Sequence, residues 1–384
     1  MYSRLINNKK YLILLTSLIA IIIRGLFMDY ESGDYELFLS QWCSYLERCG
    51  GFKGILTVDA DYNAIYLYFL AIFTYLPFDY LYSIKALSII FDFAMAASAY
   101  LLVDQVMINS SKRKESAFIA YAAVLFMPTV ILNGSFWAQC DSIYTTFIFL
   151  SLYFMFKNKY NTCFILYGVA LTFKLQAIFF LPVYGIVYLK NRDFSILKFG
   201  WVAVSNFILF IPALIIGKPI TSVLDAYTTQ LGKYCYKTVF GYPNVYNFFP
   251  LHYVELNTPG IIFTMCLLMI LMGMVLYTKR RLDNNSVIEL GIIVALLVTY
   301  FLPEMHDRYG YVAEVLSVVY FVITRKNALA VLLINICALI TYIMCLFGFA
   351  ENYIWVISIV QFIPIFKFTK DFIEDRFKAI GTLV

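Results

Sequence analysis

Charged residues are scarce in this chain, and histidine is almost absent. Only 14% of the 384 residues are charged and 62% are hydrophobic, whereas soluble domains average about 25% charged. This deficit excludes a soluble globular protein and leaves no room for a separate soluble domain. The two histidines, His252 and His306, have no close set of further ligands, so we expect no zinc site.

The eight cysteines also lack the paired spacing of a metal-binding motif. Several fall in apolar stretches, where cysteine behaves as a small hydrophobic residue. Cys43 and Cys49 are placed where they could meet an oxidising compartment, and a disulfide between them is left open. The basic residues are spread over short loops, so the net charge of +5 does not predict nucleic-acid binding.

Long apolar runs recur from one end of the chain to the other. A helix needs about 20 such residues to cross a bilayer, so the runs predict an all-α polytopic membrane protein with about 12 transmembrane helices in one domain, 1–384. The first run, Tyr11 to Met28, lacks a following small-residue cleavage site and is predicted to be a retained anchor. The expected spans are 11–28, 84–106, 117–133, 142–156, 161–173, 177–189, 196–216, 259–278, 287–302, 309–324, 328–347 and 353–367.

The stretch from Ala64 to Pro77 decides which way the later spans run. It is short for a span, so we predict a re-entrant or interfacial helix. With the N-terminus inside, most Lys and Arg residues then lie on the cytoplasmic side, as the positive-inside rule requires. Both termini are then cytoplasmic. The expected regions are a first outer loop (about 29–83), core helices (about 84–216), a large outer loop (about 217–259) and C-terminal helices (about 260–384).

Asp34 is the candidate catalytic residue of the first outer loop. Gly33 before it is expected to permit a tight turn, and a carboxylate at the membrane surface suits a general base that accepts a proton from a hydroxyl. The alternative is a solvated acidic loop, which is our interpretation of the neighbouring Asp29, Glu31 and Glu36.

The segment from Asn133 to Asp141 supplies further polar residues on the same face. Trp137 is ordinary at a membrane interface, where its ring anchors. Gln139 and Asp141 are less ordinary, because polar groups near lipid must find partners. They could hold a sugar or brace the Asp34 loop; we favour bracing for Gln139 and leave Asp141 open.

Lys174 interrupts an otherwise apolar helical pair. A lysine at the centre of a span costs about 2.5–3.5 kcal/mol on insertion scales, which snorkelling to the interface reduces. Lys174 is therefore either a snorkelling surface residue or a point charge for a phosphate. Gln176 beside it favours the phosphate.

Two more outer segments contain candidate binding residues. His306, Asp307 and Arg308 form either a charged turn between helices or a phosphate-binding loop, since Arg binds phosphate bidentately and His donates to it. The large outer loop combines many aromatic residues with Asn244 and Asn247. That composition suits sugar stacking and an interfacial aromatic belt equally.

Taken together, these stretches resemble the GT-C superfamily of polyprenyl-phosphate-dependent glycosyltransferases, in particular its bacterial mannosyltransferase-like branch. The resemblance extends over residues 30 to 310 and rests on an ordered set of short motifs. They are Ser32-Gly33-Asp34-Tyr35 with Gln41-Trp42 and Gly50-Gly51, Asn133-Gly134-Ser135-Phe136-Trp137-Ala138-Gln139-Cys140-Asp141, Thr172-Phe173-Lys174-Leu175-Gln176-Ala177, and Phe301-Leu302-Pro303-Glu304-Met305-His306-Asp307-Arg308-Tyr309.

The resemblance implies a GT-C fold and inverting transfer from a lipid-linked sugar to a glycan acceptor outside the membrane, with Asp34 as base. It places the donor phosphate on Lys174, His306 and Arg308 and implies neither cofactor nor metal. The chain departs from the family at Asp307, where relatives often have Glu, and at Tyr62-Asn63-Ala64, where they often have Tyr-Pro-Pro.

Two other functions are kept open at this point. A polysaccharide polymerase or another protein that processes lipid-linked glycans would use similar outer loops. A secondary transporter would show inverted internal repeats, and the sequence shows no such symmetry. A bacterial cell membrane is the expected location.

Overall fold

The computed structural model describes residues 9–223, 237–249 and 252–381. Within these ranges the regular secondary structure is helical apart from two short strands, β1 (Val239–Phe240) and β2 (Met305–His306). The α-helices are α1 (Lys9–Gly25), α2 (Ser40–Arg48), α3 (Ala64–Phe73), α4 (Tyr80–Val106), α5 (Arg113–Phe126), α6 (Pro128–Ile131), α7 (Asp141–Phe156), α8 (Tyr160–Phe173), α9 (Leu181–Asn191), α10 (Gly200–Ile215), α11 (Tyr253–Tyr277), α12 (Asn284–Phe301), α13 (Tyr311–Thr324), α14 (Ala328–Phe347) and α15 (Ile354–Gly381).

Irregular helical turns connect several of these helices. Two are π-helical, Tyr35–Leu39 and Leu132–Phe136, and six are 3₁₀-helical: Gly51–Leu56, Leu175–Phe180, Ile196–Phe199, Ile220–Val223, Val245–Phe248 and Glu351–Tyr353.

Five described helices are long and apolar enough to cross a membrane. They are α4, α10 with its preceding 3₁₀ turn, α11, α12 and α14. A sixth arises if α5 and the segment Pro128–Phe136, bent by 51° relative to it, count as one span. Five shorter apolar helices, such as α7 and α8, have 10–17 residues. The chain is therefore all-α with membrane-type helices, and 12 spans stay a prediction.

The predicted first outer loop (about 29–83) contains several short helical segments. It folds into the π-helical turn Tyr35–Leu39, α2, the 3₁₀ turn Gly51–Leu56 and α3. Of the stretch from Ala64 to Pro77, only Ala64–Phe73 is α-helical, and its 10 residues are short of a span. Cys43 and Cys49 are both free thiols.

The large outer loop is shorter than expected. Helix α11 already begins at Tyr253, so Pro259 lies inside the helix rather than before it. Of the remaining loop, residues 224–236 and 250–251 lie outside the described part of the chain. Residues 1–8 and 382–384 also lie outside the described part of the chain, so the cytoplasmic position of both termini stays a prediction.

Helix α12 lies inside the helical assembly, whereas α10 and α11 lie at its edge. In the most apolar stretch of 18 residues in each helix, about 72% is buried in α12, compared with 17% in α10 with its preceding 3₁₀ turn and 22% in α11. Exposed Ile, Phe, Met and Leu side chains cover α10 and α11. Apolar surface left in water is unfavourable, so these two helices are suited to face lipid.

A buried ion pair joins α1 to α4. Arg24 Nε lies 2.9 Å from Asp92 Oδ2, and both side chains are fully buried. Arg24 Nη2 also donates to the carbonyl of Leu125 at 3.1 Å. A Cβ on Gly134 would lie 2.9 Å from the same Asp92 oxygen, so the π-helical turn Leu132–Phe136 can approach Asp92 only because residue 134 is glycine.

Lys85 of α4 fixes the chain that leads from α1 to Asp34. Its Nζ donates to the carbonyl oxygens of Phe27 at 2.7 Å, Met28 at 3.1 Å and Tyr30 at 2.5 Å. All three carbonyls lie in the turn that follows the end of α1 at Gly25, so one ammonium group fixes that turn. The position of the following Asp34 segment is thereby tied to the core.

Candidate functional site

A cavity of about 200 Å³ lies where the ends of several helices meet. Four segments contribute most of its polar wall: the start of the helical segment at Asp34, the turn before α7, the break after α8, and the loop between α12 and α13. The lining residues are Asp34, Phe38, Leu39, Trp42, Asp61, Tyr62, Asn63, Gln139, Leu171, Thr172, Phe173, Lys174, Leu175, Gln176, Glu304, His306, Arg308 and Tyr309.

The Asp34 carboxylate is held by three donors on one oxygen. Its Oδ2 accepts hydrogen bonds from Trp137 Nε1 at 3.0 Å, Gln139 Nε2 at 2.7 Å and Arg308 Nη1 at 3.0 Å. The side chain keeps 34% of its surface exposed. One carboxylate oxygen is thus fixed by the protein, while the group stays accessible from the cavity.

Ser32, rather than Gly33, organises the backbone at Asp34. Gly33 has no left-handed φ, and a Cβ there would meet open space, so the expected tight glycine turn is wrong. The Ser32 hydroxyl donates to the carbonyl of Trp137 at 2.8 Å and accepts from the Tyr35 N–H at 3.3 Å. It caps the helical segment and links it to the Trp137 turn.

Ala138 has a strained backbone between two of the Asp34 donors. Its φ is 63°, in the left-handed region that non-glycine residues rarely adopt, and its side chain is fully buried. Such a conformation costs about 1–3 kcal/mol and is typical of functional sites. Here it allows Trp137 and Gln139, one on each side, to reach the same carboxylate.

Arg308 connects three of the predicted residues. Its guanidinium lies 4.6 Å from the centre of the Trp137 ring, donates to Asp34 and faces Asp307, with Nε 3.2 Å from Oδ1. Its side chain is only 13% exposed. Burial raises the pKa of Asp307 to about 6, although Arg308 opposes that shift.

A small parallel pairing of strands positions His306. In β1 and β2, Val239 pairs with Met305 and Phe240 with His306, and the Phe240 ring stacks on the imidazole at 4.8 Å. Burial, followed by the nearby charges of Arg308 and Lys174, lowers the pKa of His306 to about 4. The imidazole is therefore neutral at pH 7 and can donate from only one ring nitrogen.

Lys174 lies on the cavity wall but is already paired. Its ammonium contacts Asp141 Oδ1, and Asn133 Nδ2 donates to the other Asp141 oxygen at 2.9 Å. The Lys174 side chain is only 9% exposed, which excludes a lysine snorkelling at the surface. Asp141, which the sequence left open between sugar binding and bracing, here neutralises Lys174.

The other predicted polar residues differ in their placement. Gln176 lines the cavity, and its buried Oε1 has no hydrogen-bond partner within the described residues. Asn244 and Asn247 lie outside the cavity lining. The Asn244 side chain accepts from the Tyr246 N–H at 3.0 Å, and Asn247 Nδ2 donates to the Tyr242 carbonyl at 2.7 Å and to Ser358 at 3.0 Å, so both stabilise the loop.

Sequence reasoning missed two features of this site. Trp42 and Tyr62 form an edge-to-face aromatic pair at 5.7 Å on the cavity wall, and Glu304 adds a carboxylate to the loop that contains His306. Trp42 and Tyr62 lie in stretches that entered the family comparison, but nothing in the sequence gave either ring a role, since Tyr62 is one of 32 tyrosines and Trp42 one of four tryptophans.

The site is one of carboxylates, cations and aromatic rings. Within the described ranges, no group of three or more His, Cys, Asp or Glu side chains could hold a metal ion. No established protein family matches the chain, and no curated protein is significantly similar to it. The proposed function therefore depends on the residues of the cavity.

Proposed function

We propose that this protein is an inverting glycosyltransferase of the GT-C type, with about 12 spans, in a bacterial cell membrane. It would move one sugar from a polyprenyl-phosphate donor to a glycan or lipid-linked glycan on the outer face, with both termini cytoplasmic. The observation that carries the proposal is the Asp34 carboxylate, fixed by three donors in a cavity that also contains Lys174, His306 and Arg308.

The chemistry requires one base and one cationic leaving-group site. Asp34 accepts the proton of the acceptor hydroxyl as its oxygen forms a bond to the anomeric carbon. The bond from that carbon to the phosphate oxygen breaks, and the lipid phosphate leaves with the electron pair. Arg308 and Lys174 stabilise the departing phosphate, and the neutral His306 donates one hydrogen bond to it. A single displacement inverts the anomeric configuration.

The size of the cavity favours a small donor sugar. Pockets that bury drug-sized ligands have about 300–1,000 Å³, whereas this cavity has about 200 Å³. That volume suits a single sugar ring better than several. The Trp42–Tyr62 pair supplies apolar faces of the kind that stack on sugars. The cavity volume favours a lipid-linked monosaccharide over the oligosaccharide donor of a polymerase, whereas the aromatic pair would serve either.

The test is transfer of radiolabelled sugar from a panel of polyprenyl-phosphate monosaccharides by the purified protein, with wild type and Asp34→Asn side by side. We expect transfer by the wild type and a loss of about 10²–10⁴-fold in the variant, the usual contribution of a general base. Glu36→Gln, at an exposed acid two positions away, is the matched control and should retain full activity. Full turnover by a folded Asp34→Asn protein would exclude the proposed base.

A lipid-pyrophosphate oligosaccharide is included in the same panel. Extension of that substrate, with silence from every monosaccharide donor, would replace the transferase by the polymerase.

A further inference from the structure

Glu304 is the cavity residue with the most unusual backbone. Its φ is 64°, a left-handed conformation that glycine and asparagine adopt far more readily than glutamate. Such strained backbones are typical of functional sites. The preceding buried Pro303 and the following strand β2 fix the chain on both sides, so the conformation aims this one side chain at the cavity.

Residues of α11 orient the Glu304 side chain. The Tyr253 hydroxyl donates to Glu304 Oε1 at 2.8 Å, and Asn257 Nδ2 donates to the same hydroxyl at 2.6 Å. The Glu304 N–H donates to the carbonyl of Thr238 at 2.8 Å. Both the backbone and the carboxylate of this residue are therefore held in place at the wall of the cavity.

The charges around Glu304 suggest what it binds. The cations of the cavity are paired with other acids, Arg308 with Asp34 and Lys174 with Asp141. A carboxylate accepts hydrogen bonds from hydroxyl groups and repels phosphate. Glu304 lies two and four positions before His306 and Arg308, so it would meet the uncharged part of a ligand whose phosphate those residues bind.

We propose that Glu304 binds hydroxyl groups of the donor's sugar ring and selects donors by their hydroxyl configuration. This inference rests on the proposed transferase function and names the part of the donor that the enzyme reads. It distinguishes Glu304 from Asp34, whose partner is the acceptor hydroxyl. A site built to hydrogen-bond a hydroxyl discriminates strongly against ligands that lack it, because its own polar group is left unpaired.

The first test compares kcat/KM for the preferred donor and for its epimers and monodeoxy analogues, in wild type and Glu304→Gln. Hydrogen bonds to charged groups contribute about 1.5–3 kcal/mol, so we expect the variant to lose about 10- to 100-fold on the preferred donor. It should lose almost nothing on the analogue that lacks the bound hydroxyl. Tyr253→Phe should show a smaller loss with the same pattern. The matched control is Glu255→Gln, at an exposed acid of α11, and should leave discrimination unchanged.

The second test separates substrate binding from a structural role. Glu304→Gly relieves the left-handed strain, so its thermal unfolding midpoint should equal or exceed that of the wild type while discrimination is lost. A lowered midpoint with unchanged discrimination would overturn the proposal and make Glu304 a structural turn residue.

Donor binding distinguishes failure of this inference from failure of the proposed function. If the wild type transfers no sugar, thermal shifts are measured with polyprenyl-phosphate sugars and with bare polyprenyl phosphate. Greater stabilisation by a sugar-bearing lipid, lost in Glu304→Gln, would support the inference even without transfer. Equal stabilisation by both lipids would overturn it.

Discussion

Arg308 Nη1 lies 3.0 Å from Asp34 Oδ2, although 274 positions separate the two residues along the chain. The contact pairs the proposed base with a cation that is itself proposed to bind the donor phosphate. A donor phosphate would compete with the Asp34 carboxylate for the Arg308 guanidinium, because both are anions that accept hydrogen bonds from it.

Arg308→Lys should lower transfer by about 10- to 100-fold, because lysine keeps the charge but loses the planar fork and the stacking on Trp137. The loss should appear mainly as a weaker apparent affinity for the donor, measured in initial-rate kinetics at saturating acceptor. The matched control is Arg48→Lys, at an exposed arginine of the first outer loop. Unchanged donor affinity in Arg308→Lys would show that the residue only orients Asp34.

Variants of the buried pair Lys174–Asp141 test stability and donor binding separately. Lys174→Met alone leaves a buried, unpaired carboxylate, which should destabilise the protein by about 3–5 kcal/mol. The double variant Lys174→Met/Asp141→Asn removes both charges and should regain most of that stability in denaturant unfolding. It should still use the donor poorly, because the phosphate has lost its point charge. Recovery of both stability and donor use would limit Lys174 to its role as the partner of Asp141.

The sequence predicted the all-α class and several of the residues that line the cavity, because these follow from local signals. Apolar runs are visible directly, and polar residues such as Lys174 and Gln139 stand out within them. The ends of the helices are less visible. Tyr253 and Pro259 lie in one continuous helix, although a proline in a helix interior removes one backbone hydrogen bond, so the sequence placed the start of this helix too late.

The partners of the charged residues were not predictable from the sequence. Nothing in the spacing indicates that Lys174 pairs with Asp141, since the pair depends on how α7 and α8 pack together. Arg24 and Asp92 each lie in an apolar run, where a charged residue is expected to have a partner, but the sequence does not identify that partner. Asn244 was ambiguous from composition alone, and in the structure its side chain caps the 3₁₀ turn Val245–Phe248 by accepting from the Tyr246 N–H, which is a local contact.

The Arg24–Asp92 pair should support the site from a distance. Asp92→Asn leaves the buried guanidinium without its counter-charge and should destabilise the protein by about 3–5 kcal/mol, measured by thermal unfolding in detergent. Arg24→Leu/Asp92→Leu should regain much of that loss. The neighbouring turn Leu132–Phe136 leads to Trp137, so Asp92→Asn should also reduce transfer. The matched control is Asp104→Asn, in the more exposed ion pair with Arg113, and should cost less than about 1 kcal/mol.

His306 and Asp307 should oppose each other in the pH dependence of stability. The folded pKa of His306 is about 4 against an ordinary 6.5, so between these values only the unfolded chain binds the proton. The contribution of His306 to the free energy of unfolding therefore falls as the pH falls through that window. The folded pKa of Asp307 is about 6 against 3.8, so there the folded chain binds the extra proton and its contribution rises as pH falls.

The two contributions should nearly cancel in the wild type between about pH 4 and 6. His306→Asn removes one of them, so stability relative to the wild type should increase as pH falls from 6 to 4. Asp307→Asn removes the other, so its relative stability should decrease over the same interval. Thermal unfolding midpoints of the three proteins, measured at matched pH and taken as differences from the wild type, cancel the titration of all other groups. Desolvation is the largest cause of both pKa shifts, and it acts on an acid and a base in opposite directions. If the difference from the wild type changed in the same direction in both variants as pH falls from 6 to 4, the two groups would not titrate in this opposed way.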